Sequence, residues 1–130
     1  MTKDHWPILL ILTVTFFLMS PALKNDFVAW DDDIHIYKNK NVLTLTLESA
    51  KQILTTPIKG NYHPLTTLTF ALEHHFFGLD PFWFHLNNIL LHLACTFLVF
   101  RLMLLLNLET AWALLVALLF GIQPMRVESV

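Results

Sequence analysis

Three consecutive aspartates, Asp31, Asp32 and Asp33, are the residues of this sequence best suited to chemistry. They stand in the stretch FVAWDDDIHIY at residues 27–37, between an aromatic entry and an alternating apolar exit. A carboxylate in such a place can act as a general base or as a metal ligand. The same tract also suits a solvated turn in which Asp31 or Asp33 caps a local element. For the tract taken in isolation, the solvated turn is the favoured interpretation.

A second set of polar residues lies within an apolar stretch at residues 83–106. Its members are His85, Asn88, His92 and Thr96. Their spacing of three and four residues places them on one face of a helix. In a bilayer, polar side chains either line a functional cavity or form hydrogen bonds between helices. Both roles are open for Asn88, His92 and Thr96, whereas the position of His85 near the membrane face favours a functional role.

The composition indicates a membrane protein. Of the 130 residues, 55% are hydrophobic and only 14% are charged, whereas soluble domains carry about 25% charged residues. The formal net charge of −2 is too small to indicate a nucleic-acid partner.

Three apolar blocks predict three transmembrane helices, the first at residues 1–23 and the second at 83–106. A short turn, the third helix and the start of another loop make up residues 107–130. A signal peptide is the alternative for the first block, because Lys3 precedes it and small residues follow at 20–22. The length of its apolar stretch favours a retained helix. The chain continues only six residues past the last block, so we expect it to be a fragment.

The loop at residues 24–82 is predicted to contain two amphipathic helices. The first covers about 46–55, with an apolar stripe formed by Leu47, Ala50, Ile53 and Leu54. The second covers 64–77, because Pro64 suits a first helical turn and Gly78 suits a helix end. Its predicted stripe consists of Leu65, Leu68 and Leu72.

Alternating spans would return the end of the chain to the membrane face that carries the first loop. Gln123, Arg126 and Glu128 would then share that face with the acidic tract, His63 and His85. In such a constellation a carboxylate can act as a general base and an arginine can bind a phosphate.

Three blocks in this order resemble one family. They are FVAWDDDIHIY, GNYHPLTTLTFALEHHFFGLDPFWFHLNNILLHLACTFLVF and LLFGIQPMRVESV, at residues 27–37, 60–100 and 118–130. Together they are similar to the N-terminal membrane part of bacterial relatives of the transmembrane-and-TPR-containing O-mannosyltransferases. The resemblance implies an all-α integral membrane protein with a partial GT-C-type bundle. This bundle would have three transmembrane helices and surface-lying amphipathic helices in the first loop.

The family transfers a sugar from a polyprenyl-phosphate carrier to a protein hydroxyl and inverts the anomeric centre. The resemblance therefore implies a sugar donor of that kind, a protein acceptor and a lipid bilayer as partners, with no nucleic acid. It places the protein in a bacterial inner membrane with the first loop extracytoplasmic. Later helices and TPR repeats would be missing, and this fragment would be inactive by itself.

The resemblance also implies roles for particular residues. Asp31 and Asp32 would be catalytic or would hold a divalent metal ion, whereas Asp33 would be a turn or cap residue. Carrier or substrate would contact His63, His85, Arg126 and Glu128. The third block usually reads like HPLHVESV, so Gln123 and Arg126 replace two histidines here. A non-catalytic, membrane-anchored TPR scaffold with the same fold is therefore the alternative, and a metal or proton transporter using His85 and His92 ranks last.

Overall fold

The structure is a computed structural model that describes residues 6–27, 32–58 and 60–123. These residues form helices and turns, without a β-strand among them, so the predicted all-α fold is confirmed for this part of the chain. The helices are α1 (Trp6–Met19), α2 (Lys40–Leu43), α3 (Leu47–Thr55), α4 (Pro64–Phe77), α5 (Pro81–Leu105) and α6 (Thr110–Gly121). A 3-10 helix, Ser20–Lys24, continues α1, and a π-helical turn, Asp33–Tyr37, precedes α2.

The chain divides into two compact units. The helical unit consists of Met1–Lys24 and His85–Val130, and the loop unit consists of Asn25–Phe84. Their boundary falls in the N-terminal part of α5.

Two helices of the helical unit are long and apolar enough to cross a membrane. They are α1 with its 3-10 continuation, Trp6–Lys24, which has 19 residues, and α5, which has 25 residues. The third apolar helix, α6, has 12 residues, whereas a straight span needs about 20. Two of the three predicted spans are therefore present as candidates, and α6 is a shorter apolar helix.

Small residues form the packed face of α6. Ala113, Ala117 and Gly121 are its buried residues, and a spacing of four places them on one face. This helix packs against α1, and Ile8 of α1 and Phe100 of α5 are buried together with the two alanines. Small side chains allow helix backbones to approach closely, which is the usual way in which helices associate in a membrane.

Local sequence signals determine where the helices of the loop unit begin and end. The Ser49 amide donates to the Thr46 hydroxyl at 3.1 Å, and the Thr46 amide donates to the Ser49 hydroxyl at 2.7 Å. This capping box starts α3. Pro64 is the first residue of α4, and Gly78, with a φ of +70°, follows its end. The predicted ranges, 46–55 and 64–77, differ from these helix bounds by at most one residue.

The predicted apolar stripes coincide only in part with the packed faces of these helices. Leu65 and Leu72 of α4 are exposed, whereas Thr67 and Ala71 are buried. In α3 the exposed fraction of Leu47 is 93%, whereas Ser49 and the stripe residue Ile53 are buried. Because α4 packs against both α2 and α3, its contact face is formed by small residues that permit close approach. Exposed leucines are compatible with the predicted position of both helices on a bilayer surface, and that position stays a prediction.

Candidate functional site

Aromatic residues flank the acidic tract. Phe27 precedes the tract and Tyr37 follows it, and their ring centroids are 6.0 Å apart. Phe84, which is buried, contacts Phe27 edge to face at 5.3 Å and Phe70 of α4 at 5.9 Å. Phe27 and Tyr37, which flank the acidic tract in the sequence, therefore belong to one aromatic cluster.

Asp33 stabilises the π-helical turn that follows the tract. Its backbone carbonyl accepts a hydrogen bond from the Lys38 amide at 2.8 Å, and its carboxylate accepts one from Lys38 Nζ at 2.7 Å. This hydrogen-bonded ion pair raises the pKa of Lys38 above its ordinary value of 10.5. Asp33 thus has a structural contact of the kind expected from a turn residue.

Asp32 lies immediately before the same turn and has a different environment. It is partly buried, and its φ of −63° and ψ of −30° are helical. Among the described residues around this turn, its side chain forms no capping hydrogen bond with the helix it precedes. Single π-helical turns are frequent at functional sites. Asp32 has an interaction partner but does not cap the turn, whereas the Asp33 side chain closes it through Lys38.

The other predicted site residues are distributed over both units. Asp31, Arg126 and Glu128 lie outside the described residues. The imidazole of His63 is exposed, and its backbone carbonyl accepts hydrogen bonds from the amide and hydroxyl of Thr67 at 3.0 and 3.1 Å. His85 is partly buried in the N-terminal part of α5.

A metal site was predicted at Asp31 and Asp32. Within residues 6–27, 32–58 and 60–123, no three His, Cys, Asp or Glu side chains form a group that could hold a metal ion. Asp31 lies outside these ranges, so the metal site stays a prediction from the resemblance.

The polar stripe of α5 contains a contact between helices. Because a carbonyl oxygen can only accept a hydrogen bond, His92 Nε2–H donates to the Gly121 carbonyl of α6 at 3.0 Å. The imidazole also stacks on the Phe120 ring, with centroids 5.6 Å apart. Thr96, fully buried, donates from its hydroxyl to the His92 carbonyl at 2.9 Å. For His92, the geometry therefore supports the alternative of hydrogen bonding between helices.

Glu73 of α4 is a buried carboxylate that the sequence analysis did not single out. Its exposed fraction is 8%, and it has an interaction partner. Burying a carboxylate costs free energy unless it is paired or hydrogen-bonded. A lone acidic residue within the helical stretch PLTTLTFALEHHFF was the signal that could have identified it.

The all-helical fold and the two candidate spans indicate the class, a membrane protein. Comparison with known proteins indicates which membrane proteins this chain is similar to. Over 96 residues the chain is 40% identical to protein O-mannosyl-transferase TMTC2 of Mus musculus, a match that covers 74% of this chain and 11% of that protein. The corresponding protein of Xenopus laevis is 44% identical over 70 residues, covering 54% of this chain and 8% of that protein. Protein O-mannosyl-transferase TMTC1 of Homo sapiens is 37% identical over 78 residues, or 54% of this chain and 8% of that protein.

These matches support a relation to the protein O-mannosyl-transferases TMTC1 and TMTC2. The chain spans between 8% and 11% of the length of these curated relatives. No family model matches the chain, and no solved structure matches it.

Proposed function

We propose that this chain is the N-terminal part of a membrane glycosyltransferase that moves a sugar from a polyprenyl-phosphate carrier to a protein hydroxyl. The observation that carries the proposal is the 40% identity, over 96 residues, to a protein O-mannosyl-transferase. The two candidate spans support it. A GT-C-type bundle with later helices and TPR repeats, and an extracytoplasmic first loop in a bacterial inner membrane, are part of the same proposal.

In this proposal the acceptor hydroxyl oxygen forms a bond to the anomeric carbon while the bond from that carbon to the carrier phosphate breaks. Asp32, or Asp31 beside it, receives the hydroxyl proton. General-base catalysis of this kind contributes about 10²–10⁴-fold to a rate. Arg126 stabilises the negative charge of the departing phosphate.

The remaining residues hold the substrates in place. His63, His85 and Glu128 contact the carrier or the acceptor, which limits the orientations that the reacting groups can adopt. Alternatively, Asp31 and Asp32 would hold a divalent metal ion, which would supply positive charge to stabilise the departing phosphate.

The test is transfer by the full-length protein reconstituted in liposomes. The probe is polyprenyl-phosphate mannose with a radiolabelled sugar, and the acceptor is the membrane and secreted protein fraction of the host. We expect the protein fraction to become labelled. Alkaline β-elimination should release this label, because that reaction cleaves sugars from Ser and Thr hydroxyls. If neither this donor nor other polyprenyl-phosphate sugars label protein, glycosyl transfer is excluded.

The scaffold alternative has one specific observation in its favour. Gln123, which is exposed, and Arg126 stand where the resemblance implies histidines. A scaffold would bind its protein partners without transferring sugar, and binding would survive Asp32→Asn and Arg126→Gln. A glycosyltransferase would bind polyprenyl phosphate, and that binding would weaken in Arg126→Gln. Carrier binding therefore separates the two functions.

A further inference from the structure

Four aromatic residues surround the turn between α4 and α5. Phe76 and Phe77 end α4, and Phe82 and Trp83 belong to the first turn of α5. The Phe77 and Trp83 rings stack, with centroids 4.1 Å apart and an interplanar angle of 12°. Phe76 contacts Phe77 at 6.3 Å between centroids, and Phe82 contacts Trp83 edge to face at 5.3 Å. These four rings therefore form one continuous surface, which we call the aromatic patch.

The backbone of the turn holds the aromatic patch in place. Gly78 has a φ of +70°, and its amide donates to the His74 carbonyl at 2.9 Å where α4 ends. The Asp80 carboxylate accepts a hydrogen bond from the Phe82 amide at 3.1 Å, and the Asp80 carbonyl accepts one from the Trp83 amide at 3.2 Å. Amides in the first turn of a helix need such partners from outside the helix. Hydrogen bonds at both helix ends and the ring stack thus fix the positions of the aromatic side chains.

The aromatic patch is exposed although its rings contact one another. The exposed fraction of Phe76 is 70%, and Phe77 and Phe82 are exposed as well. Leu79, in the turn between the two helices, adds a further exposed apolar side chain. A contiguous exposed surface of large apolar residues marks a site of contact with a protein or a membrane.

The helix that begins within the aromatic patch indicates that a bilayer covers it. Because α5 is long and apolar enough to cross a membrane, its first turn lies where the chain would enter the lipid. Asp80 is the only Asp, Glu, Lys or Arg between residues 76 and 100, so the sequence here offers little charge to a protein partner and no basic residue to lipid phosphates. Tryptophan rings favour the headgroup level of a membrane, and phenylalanine side chains reach the boundary between headgroups and acyl chains.

We propose that the aromatic patch is a membrane anchor that inserts at the boundary between headgroups and acyl chains and fixes the depth at which α5 enters the bilayer. The stack of Phe77 on Trp83 joins the end of α4 to the start of α5, so the anchor also holds the C-terminal end of α4 at this depth. The inference goes beyond the proposed function, because it does not depend on sugar transfer.

The first experiment determines which part of the lipid contacts the aromatic patch. The full-length protein is reconstituted in phosphatidylcholine vesicles that contain a photoactivatable lipid, with a diazirine either next to the headgroup or at the end of an acyl chain. Mass spectrometry of the digested protein locates the labelled residues. We expect the shallow probe to label Phe76 and Phe82 at least about fivefold more than the deep probe does.

Leu91 provides the internal control for depth. It is exposed and lies ten residues after Pro81, about 15 Å along the helix and thus about half of a ~30 Å hydrocarbon core. The deep probe should label Leu91 more than the shallow probe does. Labelling of the aromatic patch by neither probe would show that protein covers it, and this result, or stronger labelling of the patch by the deep probe, would overturn the inference. The measurement uses the unsubstituted protein, so it does not depend on the folding of a variant.

The second experiment tests whether the aromatic patch fixes the depth of α5. A spin label is attached to Cys95, which is exposed on α5, as the one cysteine kept in the full-length protein. Its depth is measured from collisions with oxygen and with a water-soluble nickel complex. We expect Phe76→Ser combined with Phe82→Ser to shift the label by at least about 3 Å, the rise of two helical residues, because interfacial aromatic residues set the position of a span. Phe76→Trp combined with Phe82→Trp should shift it by less than about 1.5 Å.

Leu65→Ser is the control for loss of an exposed apolar side chain. Leu65 lies at the other end of α4, and its exposed fraction of 73% is close to that of Phe76. This variant should leave the depth of Cys95 unchanged. A wild-type depth in the variant with both serines, or an equal shift in Leu65→Ser, would overturn the inference.

Discussion

Asp32 and Asp33 are neighbours in the chain with different surroundings. Asp33 bonds to Lys38 through its backbone carbonyl and its carboxylate, and both bonds close the π-helical turn. Asp32 precedes that turn, is partly buried and makes no capping bond to it within the described residues. The two aspartates therefore differ in how they contact the turn, and the role of Asp32 as a base stays a prediction.

The ion pair of Asp33 and Lys38 leads to a prediction for the pH dependence of stability. The pKa of Lys38 is raised in the folded protein, so the pair contributes fully below the ordinary value of 10.5 and is lost as the pH rises through the raised value. We expect Lys38→Met to lower the denaturation midpoint slightly and by a constant amount from about pH 7 to 9. The measurement is denaturant unfolding followed by circular dichroism in micelles.

Lys51→Met, at an exposed lysine of α3, is the control for loss of surface charge. The difference between wild type and Lys38→Met should vanish at strongly alkaline pH. A difference that persists there unchanged would show that Lys38 stabilises the fold through packing of its side-chain methylenes.

The sequence could not separate the three aspartates, because their side chains are identical. The usual rule for charged pairs on a helix looks three or four residues ahead, whereas the π turn brings Asp33 to Lys38 across five. The exit DIHIY alternates like a strand, and a five-residue turn is too short to show a helical period.

Small residues determine the packing of the helices in both units. In α6 the buried face is Ala113, Ala117 and Gly121, and in α4 it includes Thr67 and Ala71. Helix limits were predictable because Pro64 and Gly78 act through backbone conformation, which is a local property. The buried faces were not predictable, because they depend on which helices approach each other.

Two alanines of α6 provide a matched test of this packing. Ala113 is fully buried and Ala111 is exposed. We expect Ala113→Leu to lower the free energy of unfolding in micelles by about 1–3 kcal/mol, because the larger side chain separates the helices. Ala111→Leu should change it by less than about 0.5 kcal/mol. Equal effects at the two positions would show that α6 does not pack through this face.

At the scale of the whole molecule, the packing of α1 bears on whether the first apolar block is a signal peptide. Ile8 is part of the buried cluster with Ala113 and Ala117, and Thr15 is fully buried against Gly121. Removing α1 would expose this face. Ala22, close to the predicted cleavage point, is buried in the 3-10 helix Ser20–Lys24.

We therefore predict that α1 stays in the mature protein. Intact-mass spectrometry of the protein extracted from membranes should give a mass that includes Trp6–Met19. An N-terminus close to Ala22 would show instead that the block is cleaved as a signal peptide.

The membrane class and the all-helical fold followed from composition and apolar block length, because a bilayer demands long apolar helices whatever their partners. The length of the third helix could not be predicted from the length of its apolar block. Its apolar run extends over residues 111–124, but the helix itself ends at Gly121, where a close contact with α1 and α5 requires a glycine.

The central claim is that Asp32 takes part in sugar transfer, and the most direct measurement compares Asp32→Asn with Asp33→Asn in the full-length protein. Both substitutions remove one carboxylate from the same tract, so they are matched in charge and size. The account predicts that Asp32→Asn lowers the rate of transfer at least about 10²-fold with normal membrane insertion. Asp33→Asn should lower the rate of transfer only a few-fold, because the turn is also closed by the backbone hydrogen bond from Lys38 to Asp33. A wild-type rate in Asp32→Asn, or an equal loss in Asp33→Asn, would contradict the account.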